Sequence, residues 1–201
     1  MSFTNVLLSD AQLALATNQE IILTKEIIML KAIGLFQAQV PILQNTYFNN
    51  LQPYALIAAS VPKISKGENY NQLPYIMLDY PAYYTKQNIF ALRTMFWWGN
   101  FVSITLLLKG EYKTIFEQKI IHNLHYNAAA NLYICINESE WMHHFEPYNY
   151  ILCSKINKLQ IDEIKQKSFI KIALKYKLQH WNMLQQLLPE GYSQIKQLLF
   201  N

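Results

Sequence analysis

Two runs rich in strand-forming residues, 90–98 and 101–108, are separated only by Gly99-Asn100. A two-residue connection joins antiparallel strands, because a parallel pair needs a crossover of a dozen residues or more. The pair therefore reads as a hairpin, although such turns favour the reverse order, Asn-Gly. Val, Ile, Thr and Phe fill 101–108, as a strand prefers, and Gly110 ends it. Residues 75–80 read as a strand that stops at Pro81, and 85–88 as the start of a short helical turn. Further strands are expected at 131–136, 148–153 and 168–177. In the last, Phe169, Lys171, Ala173 and Lys175 alternate with Ile170, Ile172, Leu174 and Tyr176. That period of two favours a strand, with a helix as the alternative.

The first fifty residues read as helix. Ser9 or Asp10 caps a short helix through Leu15, and a second begins near Asn18 with Glu20 in its first turn. Ile22, Met29, Ile33, Phe36, Val40, Leu43 and Tyr47 then follow at spacings of seven, four, three, four, three and four, one apolar helix face. Pro41 is expected to divide this helix near Gln39. Residues 52–73, with Pro53, Pro62 and Gly67, read as a connection that is extended in part. Helices are also expected at 111–124, 160–167, 179–188 and 192–200, the last two flanking Pro189-Glu190-Gly191.

The expected fold is α+β: a mostly antiparallel sheet of five or six strands, with a helical N-terminal region and a helical C-terminus. The 201 residues suit one domain, with 1–51 helical, 74–178 the sheet-containing core and 179–201 the closing helices. An apolar fraction of 52% supplies a core without disulfides or metal. Cys135 and Cys153 lie in apolar runs and read as buried free thiols. The start, Met1-Ser2-Phe3-Thr4-Asn5, has no signal-peptide pattern. Residues 32–62 carry no charge but are interrupted by Gln, Asn and Pro, and 95–108 is too short to span a bilayer. The reading is a cytoplasmic chain without a membrane partner.

The formal net charge of +4 is mild, and the lysines are dispersed. The densest stretch, 155–177, includes Asp162 and Glu163 and reads as solvated surface. Between Tyr70 and Phe101 the aromatics are interleaved with only Lys86 and Arg93, which argues against nucleic-acid stacking.

The segments Leu78-Asp79-Tyr80-Pro81 and Arg93-Thr94-Met95-Phe96-Trp97-Trp98-Gly99-Asn100-Phe101 are the most distinctive. They resemble a family of small cytoplasmic bacterial proteins to which no activity attaches, so the resemblance implies no reaction and no cofactor. It covers about a fifth of the chain.

Arg93 is the only arginine. It lies on a strand candidate adjacent to that of Asp79, so the two are placed to pair, and a guanidinium fork suits a carboxylate. Two readings follow. Arg93 offers its fork to a small anionic ligand in a pocket with Asp79, Tyr83, Trp97, Trp98 and Asn100, or it is a buried ion pair or stacks on the tryptophans. His122 and His125, and His143 and His144 with Glu140 and Glu146 nearby, match no metal-ligand spacing. Adjacent histidines on a loop are expected to face water. Glu138 and Glu140 read as a solvated turn, with an acid–base pair as the alternative. No nucleophile elbow, Gly-rich phosphate loop or His-Glu-x-x-His motif is present.

Two function classes follow. One is a non-enzymatic interaction or binding protein, a homodimer through the N-terminal helical region if that apolar face is wider than its own sheet can cover. The other is a small anionic-ligand binder or enzyme using the Arg93 pocket.

Overall fold

The structure, a computed structural model, describes residues 6–126 and 131–200; of Phe48, His125 and Tyr126 it describes the backbone alone. The start at 1–5, where no signal-peptide pattern was expected, and the His125 side chain therefore lie outside the described residues. In chain order the elements are α1 (Asp10–Thr17), α2 (Gln19–Leu51), one-turn α3 (Ala55–Ala58), β1 (Lys63–Tyr70), β2 (Leu73–Tyr84), β3 (Ile89–Trp97) and β4 (Phe101–Lys109). There follow α4 (Glu111–Tyr126), β5 (Leu132–Cys135), β6 (Tyr150–Leu152), α5 (Lys158–Gln166), β7 (Phe169–Lys177) and α6 (Leu184–Phe200). Among the described residues seven strands form one sheet in the order β1-β2-β3-β4-β7-β5-β6, and every neighbouring pair is antiparallel. No helix of the described residues is long and apolar enough to cross a membrane.

Strand alternation divides the side chains between two buried faces. Phe90, Leu92 and Phe96 of β3, Ile104 and Leu106 of β4, and Ile172 and Leu174 of β7 meet α2, α4 and α6 in the main core. The other face carries Ala91, Arg93, Met95 and Trp97 of β3 with Ser103, Thr105 and Leu107 of β4. The segment 137–149 covers that second face, with Phe145 packed on Phe101 at 4.9 Å and Tyr133 at 4.9 Å. Burial on both sides explains why β3 and β4 read as near-continuous apolar runs.

The sheet holds more strands than expected because β1 lies in what read as connection. It is polar and sits at the sheet edge, joined to β2 by Asn71 and Gln72 at φ 48° and 65°. β2 does not stop at Pro81. The register shifts between Asp79 and Ala82, around a cis Tyr80–Pro81 bond. β1 begins only at Lys63, opposite Asp79, so no strand on that side needs the N–H that proline lacks. The predicted helical turn at 85–88 is a tight strand connection, closed by Asn88 N–H donating to Thr85 Oγ1 at 2.9 Å.

α2 runs through Pro41 without the expected division. Met29, Ala32, Phe36, Leu43 and Tyr47 bury one stripe on both sides of it, and the Tyr47 hydroxyl donates to the Tyr192 carbonyl of α6 at 3.0 Å. Packing of that length outweighs one missing hydrogen bond. α6 likewise passes through Pro189, where two helices were expected, because Leu184, Leu188, Tyr192, Ile195 and Leu199 form one buried stripe. The segment 178–183 before it is 3-10 turn, not α-helix.

Candidate functional site

Arg93 and Asp79 are register partners on β3 and β2. Arg93 Nε donates to Asp79 Oδ1 at 2.7 Å and Nη2 to Oδ2 at 2.9 Å, a bidentate pair. Nη2 also donates to the Tyr84 hydroxyl at 3.3 Å, and Nη1 lies 3.1 Å from His143 Nε2. Burial, with Lys171, Arg93 and His144 nearby, holds the His143 pKa well below its ordinary value. The neutral ring therefore accepts from Arg93. Four of the five guanidinium N–H groups are thus engaged.

The space beside the fork is ≈ 10 Å³, among Tyr84, Thr105, Glu140, Trp141, His143 and Lys171. Lys171 on β7, opposite Leu107 of β4, is 1% exposed. Its ammonium donates to the Glu140 carbonyl at 2.9 Å and to the Met142 carbonyl, which pins the covering segment to the sheet. Burial pulls the Lys171 pKa down to about 8. Lys109 pairs with the Glu140 carboxylate at 2.5 Å. Burial opposes the ionised form of Glu140, but this hydrogen bond holds its pKa below the usual range. The Tyr70 hydroxyl accepts from the backbone N–H groups of His143 and His144 at 2.7 and 3.1 Å.

The other expected pocket residues are dispersed. Tyr83 turns to the helical face and packs on Tyr112 at 6.1 Å. Trp97 shares the Arg93 face, but its indole N–H donates to the Tyr70 carbonyl at 3.1 Å and its ring packs on Phe101 at 5.3 Å. Trp98 points the other way, towards Phe96 at 6.2 Å, and Asn100 caps the β3–β4 turn by donating to the Trp98 carbonyl at 2.8 Å. Sequence reasoning missed Tyr84, Tyr70 and Lys171.

Three surface readings also change. The adjacent histidines do not face water: His143 meets Arg93, and His144 is buried. The lysine-rich stretch is partly interior, since Lys171 is buried and Lys167 donates to the carbonyls of Ile136 and Asn137. Glu140 is held by Lys109, whereas Glu138 stays exposed beside Lys167. Cys135 and Cys153 are buried thiols, and burial raises the pKa of both. Among the described residues no three His, Cys, Asp or Glu side chains converge on a metal-sized site.

A second candidate is apolar. α1 buries no residue. Leu8, Leu13 and Leu15 are more than half exposed, as are Ile22, Leu23, Ile27 and Leu30 in the first turns of α2. Lys25 and Glu26 reach β1 through ion pairs with Glu68 and Lys66, but side chains of α2 are fully buried only from Met29 onward. At that point Ile28, Lys31, Phe96, Trp98, Leu178 and Trp181 line a groove of ≈ 500 Å³. This continues past Ile28 and Trp98 into a more open hollow of ≈ 340 Å³ that reaches Asn18 and Ile21. Compared with protein-family models, with curated proteins and with solved structures, the chain matches none.

Proposed function

We propose that this chain is a non-enzymatic interaction protein whose working surface is α1 and the first turns of α2. The observation that carries this reading is the number of large apolar side chains between Leu8 and Leu30 that stay more than half exposed. Large exposed apolar patches mark interaction sites in proteins of this size. The anionic-ligand reading has less support. The Arg93 fork is occupied by Asp79, Tyr84 and His143, and the space beside it is at the lower limit for holding a single water molecule.

A photo-crosslinking residue at Leu13 or Leu23, in living cells that carry the protein, tests this. The control position is Leu159 on α5, which is also exposed. Discrete adducts from the N-terminal positions and none from Leu159 are expected. N-terminal positions that give no more adduct than Leu159 would remove the basis of the reading.

A further inference from the structure

We propose that α1 docks in the Trp98–Trp181 groove of a second copy of this chain, each copy giving its α1 and receiving the other's. The proposal rests on the N-terminal surface being the working surface, and it names the partner.

An isolated helix shorter than ~12–15 residues is marginal in water. α1 has eight residues and buries none, yet Ser9 and Gln12 close a reciprocal capping box at its start. The chain thus encodes a helix locally but offers it no surface. Leu13 and Leu15 supply apolar contact, and Ala11, Ala14 and Ala16 allow close approach. The groove is the complementary shape. Its aromatic walls are fixed by edge-on contacts, Phe96 to Trp181 at 5.5 Å and Phe96 to Trp98 at 6.2 Å. A short helix laid in an apolar groove is a common recognition geometry.

Charge fits as well. Residues 6–19 hold one ionisable side chain, Asp10. Lys31 is the charged residue lining the groove, and it makes no ion pair among the described residues. An anionic membrane is the poorer partner: residues 6–30 contain Asp10, Glu20 and Glu26 against one basic residue, Lys25, which pairs with Glu68. Helices that lie on membranes carry basic residues beside their apolar face.

The copy's own groove is out of reach. Asn18 alone links the helices: its N–H donates to the Leu15 carbonyl at 3.2 Å, and its side chain accepts from Glu20 N at 3.0 Å. Laying one helix back along the next takes a loop of about 2–5 residues. A two-fold pair satisfies both unfilled surfaces at once. A standard interface takes about 800 Å² from each partner. Leu8, Leu13 and Leu15 are each more than half exposed, so the exchange, made twice, takes six large apolar side chains out of water towards that area.

Sedimentation of the purified full chain tests this, with Leu13→Glu in the helix and Trp181→Glu in the groove. The wild type is expected at twice 23.6 kDa. Each variant alone should dimerise at least about 30-fold more weakly. An equimolar mixture should regain dimer, because one intact helix then meets one intact groove. Lys31→Glu, an exposed change that leaves the fold intact, should also weaken the dimer and replaces Trp181→Glu if that variant unfolds. A wild type that stays monomeric at about 100 µM overturns the proposal. So do variants that fail to complement, which would mean like-with-like helix packing, and a monomer that co-sediments with phosphatidylglycerol vesicles. Crosslinks from Leu13 to a different protein, with a monomeric purified chain, overturn the dimer alone. A monomer without crosslinks overturns the interaction reading too.

Discussion

A guanidinium keeps its charge when taken out of water, so its surroundings must supply partners. Arg93 has a carboxylate, a phenol and a neutral imidazole. Removing one charge of such a pair leaves the other uncompensated, at about 3–5 kcal/mol. Asp79→Ala should lower unfolding free energy by that order in urea titrations. The double variant Asp79→Leu, Arg93→Met should cost less than the two single changes added together. His143 gives the cluster a pH dependence. Its folded pKa lies below the unfolded 6.5, so the stabilising neutral form is complete above pH 6.5. Stability then falls as pH drops from 6.5 towards the folded value, by about 1.4 kcal/mol per pH unit for this one group. His144 is shifted the same way, mainly by burial. His143→Gln should therefore flatten, but not abolish, the decline of urea midpoint between pH 6.5 and 5. The Asp79–Arg93 pair was legible from two neighbouring strands. His143, fifty residues beyond Arg93, was not, because only the fold of the covering segment turns it inward. Lys171 was equally hidden: alternation assigned its face, but a second buried face is not visible in one strand.

At the scale of elements, strong local devices and long packed stripes decide different outcomes. The capping residues Ser9 and Asn18 act as their sequence neighbours imply, whereas the cap at Asn157, which starts α5 two residues ahead of the expected helix, was not read. Pro41 misleads because its cost, about 3 kcal/mol in a helix interior, is local, whereas the stripe from Met29 to Leu51 is not. Pro41 is exposed, so Pro41→Ala should restore a hydrogen bond without disturbing packing. It is expected to raise unfolding free energy by about 1–3 kcal/mol, read as a higher urea midpoint at unchanged slope. Gly191 shows the converse. It lets α6 lie close on β4 and β7, and a methyl there would run into the Tyr176 hydroxyl and the Ile104 side chain. Gly191→Ala should cost about 1–3 kcal/mol by overpacking, although alanine is the better helix former. β1 was illegible for another reason. Its Lys63-Ile-Ser-Lys-Gly-Glu-Asn-Tyr sequence lacks an apolar row because the strand lies at the sheet edge.

On the scale of the whole molecule, the sheet is closed on both faces, by helices on one and by segment 137–149 on the other. That segment's backbone holds polar groups of the second face: Lys171 donates to the carbonyls of Glu140 and Met142, and Asn149 to those of Met142 and His144. What the described chain leaves open is at one end, where α1 buries nothing and the first turns of α2 touch the sheet edge only through the Lys25–Glu68 and Glu26–Lys66 ion pairs. Local stability follows buried contact, so these turns should open at low free energy in a monomer, while α2 beyond Met29 opens only with the core. Association raises both, because each opening breaks the interface and binding stabilises the state that binds. Amide exchange of α1 and of Gln19–Ile28 should therefore slow as protomer concentration rises from about 1 to 100 µM. Core amides of β3 and β4 that exchange by global unfolding should slow with them. In Leu13→Glu the N-terminal amides should exchange fast at every concentration. Concentration-independent protection of α1 in the wild type would instead mean that a surface of its own chain covers it.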